Sequence, residues 1–427
     1  MLHKIIYKIG VKTRNPSLNK WISFLNKTQS WSIDELESYQ LKKLKELLLF
    51  AYQYSPFYKE YFDKNNVDLK EIKSLDDITK IPILEKQTLL NNINEIHTKY
   101  VFKKTLKAIT SGTTGKSLSF LREESADSFN RASIFRGYSW YGIKPWDRNA
   151  YFWGFNFSLK DKIKTRFLDF IQNRFRVFSY NKKSFLPFIK RLKKVKYIHG
   201  YSSMLYQTAK LINEQKLETP QKLKMIKGTS EKIFEVYQEE VQKAFGLKMI
   251  SEYGATESGI IAFECPEGNM HINMEGCLVE EIEGEVIVTN LQMKSFPIIR
   301  YKLGDYIELA PKNNTCSCGK EHRILNDITG RVGENVYGKN EIYPSFSFYY
   351  IFKNILKNDN LKLSYQVLQN NKGFLEFKIG QELTPKELTI VNNEIKKYFK
   401  EDIDVTIKDK VKFDNSKGKF KSFISTL

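Results

Sequence analysis

The sequence predicts an α/β protein in which a large layered domain precedes a small α+β domain. Three observations predict it. Short apolar runs such as Ala150-Tyr151-Phe152-Trp153 and Lys196-Tyr197-Ile198 alternate with amphipathic stretches at 204–217 and 233–245, the rhythm of strands covered by helices. Past Gly276 the texture changes to short strands at 285–289, 297–301 and 305–309, which predicts an antiparallel subdomain over about 276–330. After Gly330-Arg331-Val332-Gly333, a joint by composition, strand-like 363–368 and 374–379, helix-like 385–399 and strand-like 405–408 predict a separate fold. The expected domains are therefore 1–330 and 331–427, with no internal repeat.

From the N-terminus, residues 1–10 set lysines among apolar side chains, a short amphipathic helix that packs on its own domain or rests on a membrane surface. Ser32-Ile33-Asp34-Glu35 is a capping box, and Leu36, Tyr39, Leu41, Leu44, Leu47, Leu48 and Ala51 follow at helical spacing, so a helix runs from about Ile33 to just before Pro56. The pattern stays helical through Tyr100, broken at Ile81-Pro82.

Composition excludes several classes. With 41% hydrophobic, 14% aromatic and 28% charged residues, the 427-residue chain is globular rather than disordered or fibrous. Its longest apolar run, Leu47-Leu48-Leu49-Phe50-Ala51-Tyr52, is far short of the roughly 20 residues a membrane-spanning helix needs. The net charge of +20 comes from 69 basic and 49 acidic residues, and 12 of the 69 are Arg. A Lys-dominated surplus is poor equipment for reading bases, so no specific nucleic acid is expected. Four cysteines without a secretory signal suggest a reducing cytoplasmic setting, with membrane association left open.

Thr110-Ser111-Gly112-Thr113-Thr114-Gly115-Lys116 is the most informative stretch. Its glycines let backbone N–H groups turn toward a phosphate, and its hydroxyls supply further donors. A Walker A loop is excluded, because the required first glycine is Thr110. A serine-hydrolase elbow is excluded as well: Gly200-Tyr201-Ser202-Ser203-Met204 lacks the second glycine. Cys265 and His271, with the knuckle Cys316-Ser317-Cys318-Gly319, make a Cys₃His set suited to structural zinc, with His322 and Cys277 as alternative ligands. Residues 160–196 hold 13 Lys/Arg against two Asp, a surplus of +11, interleaved with Phe167, Phe170, Phe175, Phe178, Phe185 and Phe188. Such a segment suits a phosphorylated acceptor, an anionic lipid or nucleic acid, or is a helical hairpin with buried Phe and solvated Lys.

Further motifs follow in order: Gly228-Thr229-Ser230-Glu231, Ser251-Glu252-Tyr253-Gly254-Ala255-Thr256-Glu257, Arg300-Tyr301-Lys302-Leu303-Gly304-Asp305 and Gly330-Arg331. Together with the 110–116 loop they resemble the phenylacetate–coenzyme A ligase family of adenylate-forming enzymes and its capsular-polysaccharide branch, CapK. The resemblance implies the adenylate-forming ligase fold, a large domain with a mobile C-terminal lid. It also implies ATP-dependent activation of a carboxylic acid as an acyl-adenylate, then transfer to a thiol such as coenzyme A, within surface polysaccharide biosynthesis. An amine or hydroxyl of a sugar is the alternative acceptor. A non-catalytic ligase-like protein on anionic membrane or nucleic acid is the rival from another class.

The same resemblance assigns roles. Thr110 to Lys116 hold phosphate, Ser230 and Glu231 lie beside adenine, and Glu252, Tyr253 and Gly254 frame it, Tyr253 by stacking. Thr256 touches the α-phosphate, Glu257 holds Mg²⁺, and Asp305 accepts from the ribose hydroxyls. Arg331 belongs to the hinge, although the acidic residue usual two positions later is Gly333, with Glu334 beside it. Lys419 is the adenylation lysine, with Lys417 and Lys421 as alternative registers, and Asp414-Asn415 stands where the family has Pro-Arg. His199, Gly200, Tyr201 and Ser202 line the acyl pocket, and Cys265, His271, Cys316 and Cys318 form a cluster of a kind found in this family. The implied cofactors are ATP, Mg²⁺, coenzyme A as co-substrate and structural Zn²⁺.

Overall fold

The computed structural model describes residues 2–110, 118–152, 159–177, 182–331, 335–345, 347–413 and 420–427. Contacts divide the chain into two compact units, Met1–Trp146 with Glu252–Ile328, and Asp147–Ser251 with Thr329–Leu427. Among the described residues no helix is long and apolar enough to cross a membrane.

In the first unit, Ser32 caps the helix Ile33–Tyr54. The Ser32 Oγ accepts from the Glu35 N–H at 3.3 Å, and the Ser32 N–H donates to Glu35 Oε2 at 2.8 Å. Tyr39 and Leu41 are only half-buried, whereas Leu36, Leu44, Leu47, Leu48 and Ala51 are buried, as their spacing requires. They share a core with Val286, Val288, Ile299 and Tyr301. Antiparallel pairs in this unit join Cys277–Ile282 with Glu285–Asn290, Gly259–Glu264 with Met270–Ile272, and residues 252–255 of the strand Met249–Ala255 with Gly259–Glu264. In this stretch antiparallel pairing thus begins at Glu252, earlier than the sequence texture past Gly276 indicates. The tight turn after Ala255 joins neighbouring strands directly, which a parallel pair cannot do.

The expected strand at 297–301 does not form as drawn, since the strand there is Tyr301–Leu309. Arg300 has φ +44°, which breaks the extended run. Its guanidinium is buried in a fork on Glu280, Nε to Oε2 at 3.0 Å and Nη2 to Oε1 at 2.7 Å, and Nη1 donates to the Thr79 carbonyl at 3.1 Å. A charge taken from water must be paired in this way.

The second unit carries four parallel strands in the order Met225–Thr229, Tyr197–Tyr201, Asn149–Phe152, Arg174–Arg176. Residues after 330 build a four-stranded sheet in the order Asp404–Lys408, Phe374–Ile379, Tyr365–Gln369, Phe423–Ser425, with the helix Pro385–Phe399 capped by Thr384. They do not stand alone. Phe348, Val367 and Phe377 share one apolar core with Ala150, Ile198 and Ile226.

Candidate nucleotide and acyl site

The first unit assembles three of the predicted motifs. Gly304 takes φ +80°, a conformation that disfavours any side chain, and so turns the strand Tyr301–Leu309 at the residue before Asp305. The buried Asp305 then accepts a hydrogen bond from the Tyr253 hydroxyl, Oη to Oδ2 at 2.8 Å. Tyr253 lies on the strand Met249–Ala255, where Glu252 pairs with Phe263. A Cβ on Gly254 would stand 2.5 Å from the Gly259 carbonyl oxygen, so only glycine lets the Gly259–Glu264 strand approach. Just beyond, Glu257 is buried, and the Asn290 Nδ2 donates to the Glu257 carbonyl at 3.2 Å.

The flanks of the phosphate-loop motif belong to the same unit. Thr105–Ile109 and Ser119–Glu123 form an antiparallel hairpin. Thr110 extends it, its N–H donating to the Leu118 carbonyl at 2.9 Å and its Oγ1 accepting from the Leu118 N–H at 2.8 Å. Ser111, Gly112, Thr113, Thr114, Gly115 and Lys116 lie outside the described residues.

Arg122, one strand turn on, is a residue the motif reading missed. It is buried, and its Nη2 donates to the Thr256 carbonyl. Burial lowers its pKa, and the carboxylates of Asp127, Glu123 and Glu257 act against that. The only sequence signal was a lone arginine in the inward phase of Phe120-Leu121-Arg122.

A second constellation in this unit brings together the predicted Cys/His set. The donor atoms of Cys265, His271, Cys316 and Cys318 all lie within 4.8 Å of one another. Cys265 and Cys316 Sγ are 3.7 Å apart, too far for a disulfide. The separation matches the edge of about 3.8 Å that a tetrahedron with 2.3 Å zinc–sulfur bonds would have. The His271 Nδ1–H donates to the His322 carbonyl at 3.1 Å, which leaves Nε2 as the lone-pair atom, 3.2 Å from Cys318 Sγ. Burial pushes the His271 pKa down to about 4 and the Cys265 thiol up to about 12. The Cys316 thiol is also raised by burial, but donors from Cys318 and Asn269 outweigh it and lower the net pKa. His322 and Cys277, the alternative ligands, are engaged elsewhere: His322 Nε2 is 3.2 Å from Glu275 Oε2, and the Cys277 thiol faces the Asn273 carbonyl.

The second unit carries other predicted site residues at the carboxyl ends of its parallel strands, where open α/β sheets bind ligands. Gly200 has φ +141°, and a Cβ there would meet the Phe152 carbonyl oxygen at 2.3 Å, so the strand pair closes only around glycine. The register sets Arg176, Tyr151, His199 and Lys227 abreast across the four strands. His199 is buried and stacks on Tyr151, with centroids 4.3 Å apart. Its Nε2–H donates to Asn149 Oδ1 at 3.2 Å. Burial first, then Arg174, Lys227 and Arg176, hold its pKa well below the usual value, so the ring is neutral.

Ser202 opens the helix Ser202–Gln215. Ser230 sits at φ +66°, and Glu231 follows. Both carboxylate oxygens of Glu231 accept backbone amides: Oε2 from Ser203 at 2.9 Å and Oε1 from Phe420 at 2.6 Å. Phe420 is buried against Phe413 and Phe234. Lys417 and Lys419 lie outside the described residues; Phe420 is the first described residue after them. Arg331 ends the strand Ile324–Arg331, and the hinge residues 332–334 lie outside the described set.

No protein-family model matches the chain. Among solved structures, 2-hydroxyisobutyryl-CoA ligase in its post-adenylation state with R3-HIB-AMP superposes at a TM-score of 0.70, over 94% of this chain and 91% of that one, at 14% identity. The fold is that of the adenylate-forming ligases. The same enzyme in an open conformation with 2-HIB-AMP and CoA gives 0.62 over 93% of each chain. In sequence, the chain is similar to protein CapK of Staphylococcus aureus, 26% identical over 352 residues, 79% of this chain and 74% of the relative. It is likewise similar to the phenylacetate–coenzyme A ligase of Escherichia coli K12, 24% identical over 404 residues, 87% of each chain.

Proposed function

We propose that this ligase-fold chain is an acid–coenzyme A ligase that joins a carboxylic acid to the α-phosphate of ATP and then passes the acyl group to the thiol of coenzyme A. The observation that carries the reading is the convergence in one unit of the Tyr253–Asp305 pair, Glu257, and the Thr256 carbonyl tied through Arg122 to the strand leaving the 110–116 loop. Two anions must be brought together in the first step, so fixed donors and a cation are needed where negative charge gathers.

In this reading the 110–116 loop cradles the phosphates, Thr256 touches the α-phosphate, and Glu257 provides the carboxylate that holds Mg²⁺. Asp305 spends one oxygen on Tyr253 and turns the other to the ribose, so Tyr253 is held by its hydroxyl while its ring flanks adenine. Glu252, Gly254 and Ser230 frame the base. Lys419 approaches when residues 331–427 close about Arg331, and His199, Gly200, Tyr201 and Ser202 border the acyl pocket. Neutral His199 fits an apolar acid better than an imidazolium would. The Cys265, His271, Cys316 and Cys318 set holds one structural zinc with no open position. The motif resemblance to the capsular-polysaccharide branch implies the alternative acceptor, a sugar amine or hydroxyl in place of the thiol.

The test is acid-dependent ATP–pyrophosphate exchange over a panel of carboxylic acids, followed by thioester formation with coenzyme A. The expected result is exchange with a subset of acids that disappears in Lys419→Ala. Absence of exchange with every acid, alongside salt-sensitive binding to polyanions and no affinity for ATP, would sink the reading in favour of a non-catalytic binding protein.

A further inference from the structure

The described phenylalanines of the basic 160–196 segment divide into two populations, Phe178 lying outside the described residues. Phe175, Phe185 and Phe188 are buried with Ala150, Phe152 and Ile198 in the core of the second unit. Phe167 and Phe170 are each 63% exposed, and Ile163 is 69% exposed, all on the helix Leu159–Ile171. Positions 163, 167 and 170 follow the i, i+4, i+7 spacing and form one ridge along the helix. The opposite side is anchored: Asp169 is buried, and its carboxylate takes Nε and Nη2 of Arg176 at 2.6 and 2.7 Å. On a helical projection Lys160 and Lys164 lie to one side of the ridge and Arg166 to the other, all exposed.

We infer that this helix docks the protein on an anionic lipid surface, with Ile163, Phe167 and Phe170 entering the boundary between headgroups and acyl chains. An apolar ridge of this kind is unfavourable in water and has to be covered. Two observations select lipid as its cover. The ridge is rimmed by cations inside a segment of net charge +11, and interfacial helices combine an apolar face with Lys/Arg flanks to meet anionic headgroups. Protein–protein contacts, by contrast, are depleted in lysine, and Ile163, the most exposed of the three ridge residues, has no π-face on which a base could stack, whereas all three side chains suit an acyl boundary. The inference needs no catalytic assignment and holds or fails separately from the ligase reading.

Co-sedimentation of the full chain with vesicles of phosphatidylcholine, alone or mixed with phosphatidylglycerol, tests it. Binding to the mixed vesicles only is expected, and it should weaken as salt is raised. The double variant Ile163→Asp/Phe167→Asp should bind at least about tenfold more weakly, because both contributions to interfacial binding suffer together. Circular dichroism should be unchanged, since these side chains are outside the core. If that variant unfolds, Lys160→Glu/Lys164→Glu carries the same expectation. Wild-type protein that ignores both vesicles overturns the inference, as does a variant that binds like wild type. So does binding lost only on replacing Leu2, Ile5 and Ile9, which are 50–59% exposed on the helix Leu2–Arg14. A wild-type dimer split by the double variant, without vesicle binding, would assign the ridge to a second copy. Retention of single-stranded RNA in place of vesicles would assign it to nucleic acid.

Discussion

In the first unit Tyr253 and Asp305 reach each other directly, one buried side chain on another at 2.8 Å. In the second unit the comparable element is the Glu231 carboxylate, which spans two backbone amides, one at the start of the helix Ser202–Gln215 and one at Phe420 near the end of the chain. The first arrangement is built into a core and has nowhere to go. The second joins a strand-end loop to a segment whose partner, Phe420, leads back into the lysine-bearing stretch. A hydrogen bond to a charged group contributes about 1.5–3 kcal/mol, which biases two states by roughly ten- to hundredfold. Such a tie holds the Phe420 amide in one place and can still be released. The Tyr253–Asp305 pair is thus the preformed half of this contrast, and the Glu231–Phe420 contact, of a size that a conformational change can reverse, is the releasable half.

The largest expected effect breaks the preformed half. Zinc analysis of wild-type protein should find one equivalent that survives dialysis, and Cys316→Ser should carry none. Loss of a structural metal falls in the severe tail of mutational effects, of the order of 4 kcal/mol, and should show as a lowered melting temperature of the first unit. A metal-free wild-type preparation with the same melting temperature would rule the site out.

An intermediate effect addresses the releasable half. Glu231→Ala removes both amide acceptors and should lower kcat of the adenylation step by about ten- to hundredfold. KM for ATP should change little, and peptides around Phe420 should exchange hydrogen faster. Glu231→Gln keeps one acceptor and should fall between. A raised KM for ATP with kcat preserved would instead make Glu231 a nucleotide contact, in line with its motif.

The smallest effect concerns His199. Its folded pKa is depressed, so the unfolded chain binds the proton that the folded chain refuses. Stability is therefore full above the unfolded value of about 6.5 and is lost as pH falls below it, by at most about 1.4 kcal/mol per pH unit. Denaturant titrations at pH 7.5 and 5.5 should show such a slope in wild type and a shallower one in His199→Gln, the remainder coming from His271, whose pKa burial also lowers. An unchanged slope would mean that the ring does not stay neutral in the fold.

The Ser32 capping box, the helix that follows it and the C-terminal strand–helix–strand order were legible because short-range chemistry sets them: a side chain and an amide three residues apart, and apolar spacing. The Cys₃His set with His271 was legible from residue type, though the sequence could not dismiss His322 as its alternative. That choice turned on the His271 Nδ1 contact with a carbonyl 51 residues away. Arg122 was invisible for the same reason, since its partner, the Thr256 carbonyl, lies 134 residues on.

By itself, the sequence determined the α/β class, the motifs and their order, the inventory of donors and the surplus of positive charge, because these follow from residue identity and local periodicity. Only the tertiary structure decided which phenylalanines of the basic segment are core and which are ridge, that Asp305 meets Tyr253, and that the Glu231 carboxylate holds Phe420. Those outcomes depend on pairings between distant segments, and a one-dimensional pattern of polarity does not specify which buried donor finds which acceptor.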